Sequence, residues 1–233
     1  MLRKTVHLLP SVALFPSCAF PMTDFGNIRE QETFKNVSKF HLRFPTIKPL
    51  IVDNGVNQPE VPACATLIYC PELRTENASL GEARLLMRGL EEVPCGERCL
   101  KLHARCGVAN IKNLEWQLRF AGDFLLLNRN VFAAKKIGIN ALPHIDTRVF
   151  CLERSLLQRL LGAVIENITK TGNLMEYAFL AAIYQNPDIS AFVRSRGHFY
   201  PVMQGLSGHG RNYDGIYSRV RSVTKSSMFR FGL

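Results

Sequence analysis

The sequence contains no apolar run of the roughly 18–20 residues that a membrane-spanning helix requires. Its longest candidate, residues 6–20, is interrupted by Pro10 and Pro16, and proline is poorly tolerated inside a helix. The prolines also argue against a signal peptide, although MLRK and the apolar segment after it have the outline of one. The seven cysteines form no disulfide framework and indicate reduced thiols. We therefore expect a cytoplasmic protein.

Several motifs that mark common enzyme classes are also missing. The chain has no G-x-S-x-G nucleophile elbow and no G-x-x-x-x-G-K-[ST] phosphate loop, and no G-x-G-x-x-G follows its first predicted strand. These absences argue against nucleophilic catalysis by serine and against kinase and dinucleotide chemistry.

Acidic residues are scarce relative to basic ones, 19 against 29, which leaves a formal net charge of +10. Such a surface attracts phosphate groups, whether in nucleic acid, anionic lipid or a nucleotide diphosphate. The excess is concentrated in residues 194–233, where Asp214 is the single acid. We assign residues 1–215 to the main domain and 216–233 to a basic tail, which is either simply solvated or held at an anionic membrane surface.

What is present is a β–α–β–β–α–β pattern in the first half of the chain. Its first strand is predicted to end near Pro10 and Ser11. The remaining strands are predicted at 49–55, 65–70 and 99–108, with helices at 27–40 and 77–94. This order predicts an α/β domain with a largely parallel sheet.

The second half is predicted to contain helices over 113–122, 152–166 and 173–187, followed by a glycine-rich loop over 205–215. Ligands of parallel sheets bind beyond the carboxyl ends of the strands. Asp53, Asn54 and Arg105 are predicted to lie at such ends, so we expect the functional site there.

The segment CLKLHARCGV allows two interpretations. Four side chains of types that bind zinc lie close together in and beside it: Cys95, Cys99, His103 and Cys106. Strand alternation instead places Lys101, His103 and Arg105 on one face and Cys106 on the other. Two cations beside a zinc site would repel the metal. We therefore favour a buried strand and assign no metal ligands.

The order of four segments resembles that of nucleotide-sugar-dependent glycosyltransferases with the GT-A fold, of the type found in bacterial surface-polysaccharide and lipopolysaccharide synthesis. The segments are LLPSVALF, IREQETFKNVSKF with KPLIVDNG, NASLGEARLLMRGLEEVP and CLKLHARCGVAN. The resemblance covers residues 4–215. It implies a single α/β domain with a mixed, largely parallel sheet flanked by helices. It also implies transfer of a sugar from a nucleotide-sugar donor to a saccharide or lipid-linked acceptor.

The resemblance also implies which residues contact the donor. Those near the first three strands are Pro10, Ser11, Asp53, Asn54, Gly81 and Glu82. The late glycine-rich loop would close over the diphosphate through His209, Gly210 and Arg211, because glycines let backbone N–H groups approach phosphate. A plain surface turn is the alternative for this loop.

The chain departs from the family where a D-x-D motif normally binds a divalent ion, because it has His103 and Arg105 there. Lys101 and Arg105 could neutralise phosphate directly, which suggests a metal-independent transferase. Asp146 offers a later acid that could instead serve a bound Mg²⁺ or Mn²⁺. The structural alternative for Lys101 and Arg105 is an ion pair with Glu82 or Glu97.

The resemblance makes Glu176 the candidate catalytic base, with Asp146 as a second candidate for acid–base chemistry. A carboxylate would remove the proton of the acceptor hydroxyl as the new bond forms. Burial among the apolar residues of helix 173–187 would raise the pKa of Glu176 toward a useful range. The alternative is a charge in the first turn that is stabilised by the helix dipole.

A second class of function stays open beside the transferase. The basic, partly aromatic C-terminal tail would also suit a non-enzymatic module that binds nucleic acid or an anionic membrane. The transferase interpretation predicts a nucleotide-sugar and an acceptor as partners, with no nucleic acid and with peripheral contact at the inner face of the membrane.

Overall fold

The computed structural model describes residues 7–17, 25–128, 143–194 and 201–205. The strands are β1 (Val12–Ser17), β2 (Lys48–Asp53), β3 (Thr66–Tyr69), β4 (Arg98–Leu102), β5 (Cys106–Val108), β6 (Phe124–Asn128), β7 (His144–Glu153), β8 (Val193–Arg194) and β9 (Met203–Gly205). The helices are α1 (Phe25–Arg43), α2 (Ala78–Leu90), α3 (Ile111–Phe120), α4 (Arg154–Thr171) and α5 (Met175–Gln185), with short 3₁₀ helices at Pro71–Leu73 and Pro187–Phe192.

Seven of these strands form one mixed sheet in the order β3-β2-β1-β4-β7-β6-β8. Strands β3, β2, β1 and β4 are parallel to one another. Strand β7 runs antiparallel to both of its neighbours, β4 and β6, and β8 is parallel to β6. Strands β5 and β9 form a separate antiparallel pair. The predicted class, a largely parallel mixed sheet flanked by helices, is confirmed.

The sheet is covered on both faces, which explains why its central strands are nearly continuous apolar runs. In β1, Val12 and Leu14 face the core under α2, α4 and α5, whereas Ala13 and Phe15 face the core under α1 and α3. We call these the α2 face and the α1 face. Alternation along each strand therefore decides on which side of the sheet a polar side chain emerges.

Helix α2 lies unusually close to the sheet, and its start is defined by a side-chain cap. Asn77 accepts a hydrogen bond from the Leu80 N–H at 3.1 Å. At Gly89, an added Cβ would lie 2.9 Å from side-chain carbons of both Leu14 and Val52. The glycine therefore permits the close approach of the last turn of α2 to β1 and β2.

Two predicted boundaries in the first half are wrong. Strand β1 begins at Val12 instead of ending near Pro10 and Ser11, because the buried apolar run lies after them. Strand β4 ends at Leu102, and the chain turns through residues 103–105 before β5. Among the described residues, no helix has the length and apolarity needed to cross a bilayer.

Candidate active site

The carboxyl edge of the sheet brings together most of the predicted site residues that the structure describes. Strands β1 to β4 end there, and the antiparallel β7 begins there, because Leu102 near the end of β4 pairs with Val149 of β7. Helices α2 and α5 also begin at this edge, since the Met175 N–H donates to Ser79 Oγ at 3.1 Å. Four strand ends, the start of β7 and two helix starts therefore lie at one edge of the sheet.

Asp53, the last residue of β2, is buried and is held by uncharged donors. Its Oδ1 accepts the Gly55 N–H at 2.8 Å, and the Ser17 side chain also hydrogen-bonds to the carboxylate. Burial raises the pKa of Asp53, and these hydrogen bonds oppose the rise only in part. Asp53 also helps burial to raise the pKa of Glu30 in α1. The end of β2 therefore presents hydrogen-bond acceptors at the carboxyl edge of the sheet.

Asn54 follows Asp53 and supplies a second buried acceptor. Its Nδ2 donates to the Leu73 carbonyl at 3.3 Å, which fixes the orientation of the amide. Its Oδ1 is buried and has no hydrogen-bond partner among the described residues. A buried carbonyl oxygen of this kind is usually paired with a donor from water or ligand.

Lys101 lies on the α2 face of β4 and is fully buried. Its Nζ is 2.8 Å from Glu82 Oε1 and also donates to the Thr147 carbonyl. Although burial alone would raise the pKa of Glu82, Lys101, His103 and Arg105 together hold it below its ordinary value. Lys101 thus forms the ion pair that is the structural alternative to phosphate contact. Lys101 is therefore not placed to touch a ligand, and the prediction of direct phosphate contact by this residue is wrong.

His103 lies in the turn after β4 and is fixed by two backbone contacts. Its N–H donates to the Arg148 carbonyl at 2.8 Å, and its Nδ1 accepts the Arg105 N–H at 3.3 Å. Burial and the neighbouring cations, Lys101 foremost, lower the pKa of His103 to about 3, against the opposing effect of Glu82. The imidazole is therefore neutral, and with Nδ1 as acceptor its hydrogen is on Nε2. It offers a hydrogen-bond donor without a charge.

Asp146 and Arg148, on β7, form an ion pair in which Asp146 is buried and Arg148 is partly buried. Arg148 donates to both oxygens of Asp146, with its Nε 2.8 Å from Oδ1. Burial would raise the pKa of Asp146, but the Arg148 guanidinium and its hydrogen bonds keep it below its ordinary value. A carboxylate held in this way is a poor base. The D-x-R spacing in a strand, which puts both side chains on one face, was the available signal for Arg148.

The described residues do not fit a divalent metal at the D-x-D position. Glu82 is paired with Lys101 and Asp146 with Arg148, so each of these carboxylates already faces a cation. In the part of the chain that the structure describes, no three His, Cys, Asp or Glu side chains are grouped to hold a metal ion. The cysteines of the alternative zinc interpretation are also dispersed: Cys99 lies in the core of the α2 face, Cys106 in that of the α1 face, and Cys95 is exposed.

Glu176 occupies the first turn of α5 at the carboxyl edge. It is half-buried, and two of the apolar neighbours expected to bury it are exposed, Leu174 to 59% and Tyr177 to 36%. The predicted burial of Glu176 inside the helix is therefore wrong, because the residue lies in the first turn. A carboxylate in this position interacts favourably with the helix dipole and remains open to the edge.

The remaining predicted residues are not all at this edge. Gly81 is buried in α2, and its N–H donates to the Asn77 carbonyl within the helix. Pro10 and Ser11 precede β1 and lie at the opposite edge, where the Ser11 carbonyl accepts the Lys48 N–H at 2.9 Å. Six extended residues separate them from the carboxyl edge, or roughly 20 Å. They are therefore not placed near Asp53. The predicted loop residues His209, Gly210 and Arg211 lie outside the described residues.

Comparison with known proteins yields only distant structural likenesses. No family model and no curated protein matches the chain. It is similar to an active-site mutant of LgtC, with a TM-score of 0.48 and 11% identity over 74% of this chain and 70% of that one. It is also similar to the galactosyltransferase LgtC in complex with donor and acceptor sugar analogs, with a TM-score of 0.46 and 14% identity over the same shares of both chains.

A third solved structure is a glycosyltransferase involved in glycosylation of the major capsid of PBCV-1. It gives a TM-score of 0.47 and 12% identity over 79% of this chain and 80% of that chain. Because these TM-scores are below 0.5, we infer the activity of this chain from its own residues.

Proposed function

We propose that the protein is a metal-independent glycosyltransferase that moves a sugar from a nucleotide-sugar donor to a saccharide or lipid-linked acceptor. The observation that carries this proposal is the convergence of Asp53 and Asn54, the turn with Arg105, and Glu176 on one edge of the sheet. These groups offer acceptors, cationic charge and a half-exposed carboxylate, which are the chemical functions that such a transfer needs.

The donor would lie along the carboxyl edge, from β2 toward β7. Asp53 and the buried Oδ1 of Asn54 suit the N–H and O–H donors of a nucleoside. Arg105 and Arg148 lie farther along, beyond β4 and on β7, and a guanidinium matches phosphate oxygens bidentately. Two buried residues support this part of the site through ion pairs. Lys101 pairs with Glu82, and Asp146 pairs with Arg148 and fixes its orientation.

In the transfer step, the acceptor oxygen bonds to the anomeric carbon of the sugar while the bond from that carbon to the phosphate oxygen breaks. The bond's electron pair leaves with the phosphate, whose charge Arg105 and the neutral His103 Nε2–H would stabilise. The acceptor proton passes to a carboxylate, for which Glu176 is the better candidate. Asp146 is less suitable because Arg148 occupies both of its oxygens.

The substitution Glu176→Gln tests the assignment of the base. It should reduce kcat at least about 100-fold, since proton transfer by a positioned side chain contributes on that order, while donor affinity changes little. Asp188→Asn, in an exposed acid elsewhere on the surface, is the matched control. Unchanged turnover in the Glu176 variant would remove that residue from the mechanism.

Donor binding tests the proposed function as a whole. Calorimetry with UDP-, GDP-, CMP- and TDP-sugars, each with and without EDTA, should find one nucleotide class that binds equally well in both conditions. If no donor binds and RNA or DNA binds with a steep salt dependence, the protein is instead a basic nucleic-acid-binding module. Vesicles with and without anionic lipid test whether residues 216–233 hold the protein at the inner membrane face.

A further inference from the structure

An aromatic pair at the carboxyl edge has no role in the donor site described above. The rings of His144 and Tyr177 are 5.9 Å apart between centroids and meet edge-to-face at 64°. Tyr177 remains 36% exposed, and Leu174 beside it is 59% exposed. His144, Leu174 and Tyr177 form a surface of aromatic and apolar groups, which we call the Tyr177 platform.

The platform is fixed by the fold on both of its sides. His144 is the first residue of β7, and Tyr177 lies in the first turn of α5. The Tyr177 N–H donates to the Leu174 carbonyl at 3.1 Å, and the adjacent Met175 N–H donates to Ser79 of α2. The two rings are therefore held by regular secondary structure, which makes them a preformed contact surface.

The platform is also continuous with the proposed reaction centre. His144 precedes Asp146 by two residues on β7 and helps, after Arg148, to oppose the effect of burial on the pKa of Asp146. Tyr177 directly follows Glu176, the proposed base, in the same helical turn. A molecule bound to the platform would therefore lie within one helical turn of the proposed base.

We propose that the Tyr177 platform binds the acceptor, and that it does so by contacting the apolar face of a saccharide ring. This inference rests on the proposed function. A sugar ring presents C–H groups on one face and hydroxyl groups at its rim, and the face of an aromatic ring complements the C–H groups. The small extent of the platform suits one ring. The acceptor is therefore recognised by its terminal sugar, whether or not a lipid is attached.

The test compares three variants for acceptor and donor binding separately. Tyr177→Leu keeps an apolar side chain but removes the ring, and Tyr177→Phe keeps the ring. Tyr184→Leu, in an exposed tyrosine later in the same helix, is the matched control. Saturation-transfer NMR with a panel of methyl hexosides detects acceptor binding, and calorimetry with the nucleotide-sugar measures donor binding.

We expect Tyr177→Leu to weaken binding of the preferred methyl hexoside, and to raise its KM in the transfer assay, by about 5- to 10-fold. Donor Kd should change less than about twofold. Tyr177→Phe and Tyr184→Leu should both bind the hexoside nearly as the unchanged protein does, and circular dichroism verifies that every variant is folded.

Different outcomes overturn different statements. Normal hexoside binding by Tyr177→Leu, with donor binding intact, overturns the platform and leaves the proposed function standing. If only octyl hexosides bind and methyl hexosides do not, the surface recognises an alkyl chain and the saccharide assignment is wrong. Failure of the unchanged protein to bind any donor overturns the proposed function and the platform with it.

Discussion

Two aspartates at the same edge of the sheet, Asp53 of β2 and Asp146 of β7, interact with different kinds of partner. Asp53 is 5% exposed and Asp146 is 4% exposed, and burial acts to raise the pKa of each carboxyl group. Yet the pKa of Asp53 is raised and that of Asp146 is lowered. Asp53 is held by a backbone N–H and a hydroxyl, whereas Asp146 faces a guanidinium. The partner, and not the depth of burial, decides the ionisation of each carboxyl group.

The contrast also separates two roles. The end of β2 presents buried hydrogen-bond acceptors that are suited to the uncharged N–H and O–H donors of a ligand. At the beginning of β7, the charge of Asp146 is already balanced by Arg148. Lys101 and Glu82 repeat the second arrangement in the adjacent strand and helix. Lys101 and Arg148 are thus each held in place by an internal carboxylate.

The largest expected effect comes from removing Arg148, the cation that pairs with Asp146. Arg148→Met leaves the Asp146 carboxylate buried without its cation, and we expect the free energy of unfolding to fall by about 3 kcal/mol. Urea unfolding measures the loss. The exposed pair of Arg159 and Asp188 provides the control, because Arg159→Met should cost less than about 1 kcal/mol. Equal losses in the two variants would contradict the argument.

An intermediate effect is expected for Lys101→Met, which fills the same buried space without charge. Glu82 then loses its partner, but its side chain is 25% exposed, so we expect a loss of about 1–3 kcal/mol. Thermal unfolding at neutral pH checks this value. Lys35→Met removes a comparable but exposed ion pair with Glu32 and should change stability by no more than about 0.5 kcal/mol. A Lys101 variant as stable as the control would show that the pair is dispensable.

The smallest effect should come from Asp53→Asn, which replaces the carboxyl group by a neutral group of the same shape. Because the folded pKa of Asp53 is raised, the folded state gains stability from this group as the pH falls through that pKa. Asp146 has a lowered folded pKa, so its contribution is present above the unfolded pKa and is lost as the pH falls through the folded one.

We therefore expect Asp53→Asn to change stability by less than about 1 kcal/mol at neutral pH. Between about pH 6 and pH 3 it should make the acid-induced loss of stability steeper. Urea unfolding over this pH range measures both quantities. A shallower acid profile in the variant would mean that the sign assigned to Asp53 is wrong.

Periodic segments were predicted well because their signals are local. The helix at 77–94 is observed as α2 with its Asn77 cap, and 49–55 is observed as β2 ending at Asp53. Strands β6 and β7 were not predicted, although β7 is the longest strand described. Its antiparallel pairing with two distant strands, and the register irregularity beside β6, depend on contacts that no local pattern reveals.

The same limit applies to the candidate site. The sequence placed Lys101 in the fourth strand, but its full burial and its pairing with Glu82 depend on how α2 packs against that strand. Arg148 was missed because its importance comes from its position beside the turn that contains His103.

The sequence alone therefore determined the class of fold, the strand end at Asp53 and Asn54, and the cluster of cations around the end of the fourth strand. These depend on residue type and on periodicity along the chain. The tertiary structure alone decided which cations are buried and paired, that His103 is neutral, and that Glu176 is only half-buried. Those properties depend on distance and burial between segments far apart in the chain, and both quantities are set only when the helices pack against the sheet.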